Sequence, residues 1–248
     1  MTRTAIASHR GGAHLWPENS TLACRNALAL PVEQLEIDVH LSADGEVVVI
    51  HDSTLDRTTD SRGEVRGMTA AALGAVRVRG TGGEAVPMLD AIAALTRAAG
   101  QVLRLEIKGD RQGRVYPGIV PRCRQVLDQA GMLERTILIA FQPLVLAEAA
   151  RLGGFRQLGL LLETRAWRGM GPEIALALAR ACGAEEIGLD LADWDEASVA
   201  AVRQGGLGTS AWGVNGEAAV ARGLALGLDV ITSDDPAQAL RLRDAGGG

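Results

Sequence analysis

The sequence predicts an α/β fold, a (β/α)8 TIM barrel with a small irregular insertion after the second-strand hairpin. Three observations carry this. Short apolar runs alternate with amphipathic helical stretches eight times, the pattern of a parallel sheet with helical cover. The length, 248 residues, suits eight β/α units in a single domain. An Asp44-Gly45 turn signal brings an additional strand, 47–50, back against the second one. The runner-up is a doubly wound open sheet, but no G-x-G-x-x-G follows the first strand, which disfavours its dinucleotide-binding form.

Taken in order, residues 4–8 form an apolar strand that runs into His9-Arg10-Gly11-Gly12. Pro17-Glu18-Asn19-Ser20 opens the first helix, with Ser20 or Asn19 placed to cap it and Leu22, Ala23, Ala27 and Leu30 as its apolar positions. The second strand is 35–39, followed by the return strand 47–50. Residues 53–87 read as an irregular excursion, helical only over 69–73 and too weakly apolar to form an independent domain. A helix follows over 88–99. Strands are then expected at 102–107, 136–140, 158–162, 186–189, 207–211 and 229–232. The helices after them fall at 120–129, 144–152, 172–181, 194–203, 216–226 and 236–243.

Composition narrows the functional classes. Net charge is -5 with no basic block or aromatic-basic interleaving, so nucleic acid is not an expected partner. No apolar run approaches the roughly 20 residues that span a bilayer. Residues 1–8 leave no room for a signal peptide before His9-Arg10-Gly11, and three scattered cysteines without metal spacing read as reduced core residues; a cytoplasmic protein is expected. Of 25 basic residues, 24 are Arg and one is Lys, Lys108. A compact ammonium is not interchangeable with a planar guanidinium, which marks Lys108 as a functional candidate.

In a barrel the site lies at the carboxyl ends of the strands. The first strand delivers His9 and Arg10, the second Glu36 and Asp38, the hairpin His51, and strand 102–107 Glu106 beside Lys108. A turn centred on Asp44-Gly45 sets Glu36 opposite His51 and Asp38 opposite Val49. Strand alternation puts Glu36, Asp38 and His40 on one face, and Glu106 and Lys108 on another. Three converging carboxylates raise one another's pKa unless a cation neutralises them. An all-oxygen set suits a hard divalent ion, Mg2+ or Ca2+, with Mn2+ as a third choice. Arg10 and Lys108 suit an anionic ligand, and phosphate fits both. Two histidines beside a metal-bound phosphodiester suit paired general base and general acid. The same charges also permit plain salt bridges from Arg10 and Lys108 to Glu36 and Asp38 with no metal.

These residues belong to a recognisable set. His9-Arg10-Gly11-Gly12, Pro17-Glu18-Asn19-Ser20, Glu36-Ile37-Asp38-Val39, Asp44-Gly45, Val48-Val49-Ile50-His51-Asp52, Leu55-Asp56-Arg57-Thr58-Thr59, Glu106-Ile107-Lys108, Trp212-Gly213-Val214-Asn215, Gly227-Leu228-Asp229 and Asp234-Asp235-Pro236 run in order along nearly the whole chain. The ordered set resembles the glycerophosphodiester phosphodiesterases, within the phospholipase-C-like phosphodiesterase barrels. The resemblance implies metal ligation by Glu36, Asp38 and Glu106, acid/base roles for His9 and His51, and phosphate contacts from Arg10 and Lys108. It implies hydrolysis of a small glycerophosphodiester to sn-glycerol 3-phosphate and an alcohol, by direct water attack or through a cyclic phosphate. Asn19, Trp212 and Asn215 are candidate substrate contacts, and Phe141, Trp167 and Trp194 candidate headgroup-rim or packing residues. Departures from the family pattern fall at Ser20, at Ala140-Phe141-Gln142 and at Pro87-Met88-Leu89-Asp90, away from the metal and histidine positions. Two alternatives remain: a lysophospholipase D-type enzyme acting on lipid, and a catalytically idle phosphate-binding barrel.

Overall fold

A computed structural model describes residues 3–246. The Gly-Gly at the end of the chain and the first two residues fall outside the described residues. Eight parallel strands close into a barrel: β1 (Ala5–Ser8), β2 (Gln34–Leu41), β4 (Val102–Ile107), β5 (Thr136–Ala140), β6 (Gln157–Leu161), β7 (Glu186–Asp190), β8 (Gly208–Trp212) and β9 (Val230–Ser233). Closure comes from β1 pairing with both β9 and β2. The ninth strand, β3 (Val47–Val49), runs antiparallel to β2 as the hairpin's return arm. The barrel and the hairpin are both as expected from the alternation of apolar runs.

Helices α1 (Thr21–Leu28), α2 (Ala70–Leu73), α3 (Leu89–Ala99), α4 (Ile119–Gln129), α5 (Pro143–Leu152), α6 (Thr164–Ala181), α7 (Glu196–Gln204), α8 (Glu217–Ala225) and α9 (Pro236–Ala245) connect the strands. Ser20 caps α1, its hydroxyl accepting from Ala23 N. One helix is longer than its sequence pattern suggests. α6 begins at Thr164 rather than at Pro172, and Gly171, at φ 69°, breaks the two segments apart at the proline. No helix among the described residues is long and apolar enough to cross a membrane.

The hairpin register differs from expectation by one residue. Val39 faces Val49 and His40 faces Val48, so Asp38 lies across from Ile50. The cause is the turn: Ser42 N donates to Glu46 O, and the loop is Ala43-Asp44-Gly45, with Gly45 at φ 82°. A three-residue loop closed by a left-handed glycine sets Leu41 across from Val47, where the expected register, with Asp38 opposite Val49, puts it across from Glu46.

Residues 53–87 carry short antiparallel bridges, such as Thr54 with Glu64 and Thr59 with Val78, besides α2. Their apolar side chains, Leu55, Val65, Leu73, Val76, Val78 and Val86, pack on Val48 and Ile50 of the hairpin. Val47 and Val49, on the opposite face, belong to the main core. Strand alternation thus makes the hairpin a two-sided partition between the barrel and this segment.

Candidate active site

The site grows from four strand ends. After β1 the chain turns at His9, and Arg10 takes up a left-handed conformation, φ 51°. Such a conformation is costly for a side-chain-bearing residue and collects at functional sites. Here it aims the Arg10 N–H at Glu36 Oε2, 2.8 Å away. Gly11 follows at φ 80°, where a Cβ would sit 2.9 Å from Ala23. Asn19, the other non-glycine residue with positive φ, grips Asp38 twice. Its Nδ2 donates to Asp38 Oδ2 at 2.8 Å, and its Oδ1 accepts from Asp38 N at 3.2 Å.

Glu36, Asp38 and Glu106 are buried, and one oxygen of each lies within 4.8 Å of the others. Glu36 and Asp38 each have one oxygen tied to the protein, as above. Glu36 Oε1 is buried with no hydrogen-bond or ion-pair partner among the described residues, and Asp38 Oδ1 and Glu106 Oε1 are buried with no partner but the Lys108 ammonium. Lys108 Nζ pairs with Asp38 Oδ1 at 3.0 Å and with Glu106 Oε1 at 2.5 Å. Arg10 Nε stands 3.4 Å from Asp38 Oδ2, while its Nη1 donates to Glu18 Oε1 at 3.0 Å. The salt bridges foreseen for a metal-free cluster therefore exist for Asp38, and Lys108 also pairs with Glu106, but none reaches Glu36 Oε1. An orphaned buried acceptor beside two carboxylates that share one ammonium calls for a ligand.

Electrostatics agree. Burial, Asp38 and Glu106 push Glu36 up to about 7. Burial and Asp38 also raise Glu106, against the pull of Lys108. Burial alone would raise Asp38, yet Lys108, His51 and Arg10 hold it well below the usual carboxylate range. The protein's own cations thus ionise one carboxylate fully and leave its two neighbours short of positive charge. The donor set, hard oxygens with no cysteine, fits a hard divalent cation.

Each histidine is held by an aspartate. His9 Nδ1 is 2.6 Å from Asp234 Oδ1, and Asn215 Nδ2 donates to Asp234 Oδ2 at 2.6 Å. His51 Nδ1 is 2.7 Å from Asp52 Oδ1, and Arg57 bridges Asp52 to Glu18. Both rings are therefore oriented through Nδ1, leaving Nε2 for a ligand. Their basicities diverge. Burial lowers His9, but the Asp234 hydrogen bond and the Glu36 charge outweigh it and its pKa is raised. Burial, Lys108 and Arg10 lower His51 despite Asp38 and Asp52.

These groups border a cavity of about 390 Å3. His9, Arg10, Glu36, His51, Glu106 and Lys108 line one side; Ile139, Phe141, Leu161 and Trp212 line the other, with Glu163 at the end of β6. Phe141 and Trp212 meet edge to face at 6.3 Å. Of the three candidate substrate contacts, Trp212 borders the cavity. Asn19 and Asn215 instead hold Asp38 and Asp234. Trp167 and Trp194 are buried against each other at 6.2 Å, so they pack the barrel and form no rim. His14 is exposed, 3.6 Å from Asp234. Asp234, Arg57 and Glu18 escaped sequence reasoning as orienting groups; Asp52, next to His51, was the one with a local signal.

Comparison with known proteins agrees with this geometry. Residues 9–238 match the model of the glycerophosphoryl diester phosphodiesterase family. A glycerophosphodiester phosphodiesterase of Bacillus altitudinis is 28% identical over 97% of this chain and 98% of its own. A solved Agrobacterium tumefaciens protein named as a glycerophosphoryl diester phosphodiesterase superposes with a TM-score of 0.95, at 31% identity over 99% of both chains. An Oleispira antarctica phosphodiesterase, solved with the product sn-glycerol-3-phosphate, shares the fold with a TM-score of 0.84, at 23% identity over 97% of this chain and 96% of that one. A closed eight-stranded barrel and a family match over nearly the whole chain place this protein among the hydrolytic glycerophosphoryl diester phosphodiesterases.

Proposed function

We propose that the protein hydrolyses small glycerophosphodiesters to sn-glycerol 3-phosphate and an alcohol, in a metal-dependent reaction with His9 and His51 as its acid/base pair. The observation that carries the reading is the cluster of three buried carboxylates, Glu36, Asp38 and Glu106, in which Glu36 Oε1 has no partner and one ammonium serves the other two, flanked by two histidine–aspartate pairs. Those three residues would hold the cation, Mg2+ or Ca2+ first and Mn2+ third. A bound divalent cation supplies charge to the non-bridging phosphate oxygens.

The rest falls to the chain's own residues. An ammonium has three donors; two carboxylate contacts leave Lys108 one for the phosphate, which it meets from the cavity wall. Arg10 borders the same cavity and adds guanidinium charge. One histidine takes a proton at Nε2 from the attacking hydroxyl, water or the neighbouring glycerol hydroxyl. The other gives a proton to the departing alcohol oxygen. The product bound in the Oleispira antarctica enzyme is the one this reaction releases. Cytoplasmic action on a soluble diester fits the composition and the absence of an apolar spanning helix among the described residues.

Turnover of glycerophosphocholine, glycerophosphoethanolamine and lysophosphatidylcholine, with and without chelator, tests the reading. The two soluble diesters are expected to be cleaved, with activity lost on chelation and restored by Mg2+ or Ca2+. Activity surviving complete metal removal overturns the metal role, and cleavage of the lysolipid alone moves the assignment to a lysophospholipase D type. No turnover of any diester with metal present returns the protein to an idle phosphate-binding barrel.

A further inference from the structure

His40 lies on β2 two residues beyond Asp38 and shares its face, yet its ring does not reach the cavity. It is buried and engaged at both nitrogens. Nε2 is 2.9 Å from the main-chain carbonyl of His51, and Nδ1 is 2.9 Å from the Tyr116 hydroxyl. A carbonyl only accepts, so Nε2 carries the proton. In the neutral ring Nδ1 is then the acceptor, and the Tyr116 O–H donates to it. Burial, the largest influence on His40, favours that neutral form.

Tyr116 comes from the loop between β4 and α4 and is itself buried. Its ring meets His40 edge-on at 5.6 Å and lies 5.3 Å beneath the Arg66 guanidinium, which belongs to the 53–87 segment. The main-chain ladder between β2 and the return arm ends at Ile50 N to Asp38 O. Among the described residues, the next tie between the two, at His51 O, is made by the His40 side chain.

We propose that Tyr116 and His40 form a positioning relay for His51, through which the β4–α4 loop, with Arg66 stacked behind it, holds the main chain of that histidine where the ladder has stopped. The proposal rests on His51 acting in proton transfer as described above. Neither residue touches the substrate. The relay sets where the His51 Cα sits, while Asp52 sets the ring. A displacement of about 1 Å in a reacting group costs on the order of 100-fold in rate, so a partial loss of this tie should register in kcat. It should leave KM and metal affinity alone, because Glu36, Asp38 and Glu106 are held by other partners.

The test compares Tyr116→Phe, His40→Leu and His40→Gln in the metal-loaded enzyme with glycerophosphocholine, with Mg2+ affinity measured by calorimetry and folding by thermal melting. Tyr116→Phe is expected to lower kcat about tenfold and His40→Leu further, with KM and Mg2+ affinity within about twofold of the parent. His40→Gln should recover most of the rate, because its amide both donates and accepts. Folded Tyr116→Phe and His40→Leu variants with parental kcat overturn the relay, as does His40→Gln falling as far as His40→Leu. If His40→Leu does not fold, the other two decide: a loss in Tyr116→Phe with retention in His40→Gln supports the relay, and any other order overturns it. Parental turnover in His51→Ala would instead remove the acid/base reading beneath it.

Discussion

The two sides of the barrel mouth are built on different principles. Strands β1, β2 and β4 and the hairpin crowd Glu36, Asp38, Glu106, Lys108, Arg10 and both histidines against one wall, each fixed by a named partner. The opposite wall, from β5, β6 and β8, is Ile139, Phe141, Leu161 and Trp212, with Glu163 the carboxylate on its rim. Charges concentrated on one wall hold one another at shifted pKa values, whereas the largely apolar wall shapes the space. On the proposed function, the first wall is expected to govern the chemical step and the second to govern which diester is accommodated.

The largest effect that would break the contrast is on the histidines. His9→Ala and His51→Ala are each expected to lower kcat by roughly a thousandfold, within the usual span for general acid–base groups, as read by initial rates at saturating diester. Mild losses in both would detach the chemistry from that wall. Asp234→Asn should act next, by about 10- to 100-fold in kcat, since it disturbs only the orientation and basicity of His9. The sign follows from the structure. Asp234 helps to raise the His9 pKa, so its neutralisation lowers that pKa, and the limb of the pH–rate profile set by protonated His9 moves to lower pH. A limb that stays in place would show that Asp234 does not govern His9. The smallest effect belongs to the apolar wall. Phe141→Ala should change KM by about three- to tenfold through lost contact area, on the order of 1 kcal/mol, with kcat nearly unchanged. A fall in kcat matching that of Asp234→Asn would erase the distinction between the walls.

Much of the charged wall was legible because strand periodicity turns a short motif into geometry. Glu36 and Asp38, two apart on one strand, must share a face, and Glu106 and Lys108 likewise; parallel pairing sets β2 beside β4, with Asp38 across from Glu106. The hairpin register was misplaced by one because Asp44-Gly45 marks a turn without fixing its loop length, and the three-residue loop 43–45 pairs Ser42 with Glu46. Trp167 and Trp194, near strand or loop ends in sequence, turned inward because the large indoles fill the barrel's helical layer. The helical segment before Gly171 was missed, while Gly171-Pro172 is the helix boundary it resembles, with Gly171 at φ 69°.

The linear sequence by itself determined the barrel, its order of strands and the identity of the groups that meet at the mouth, since alternation of apolar positions and strand-end placement are local properties that survive any packing. Only the tertiary structure decided how those groups are held. His9 is paired with Asp234 from 225 residues away, Arg57 reaches out of the 53–87 segment to join Glu18 and Asp52, and His40 turns from the cavity to Tyr116. It also decided which convergent carboxylate oxygen is left without a partner, Glu36 Oε1. Such choices depend on directional hydrogen bonds between distant segments, and a residue's type and neighbours do not specify which distant donor will reach it.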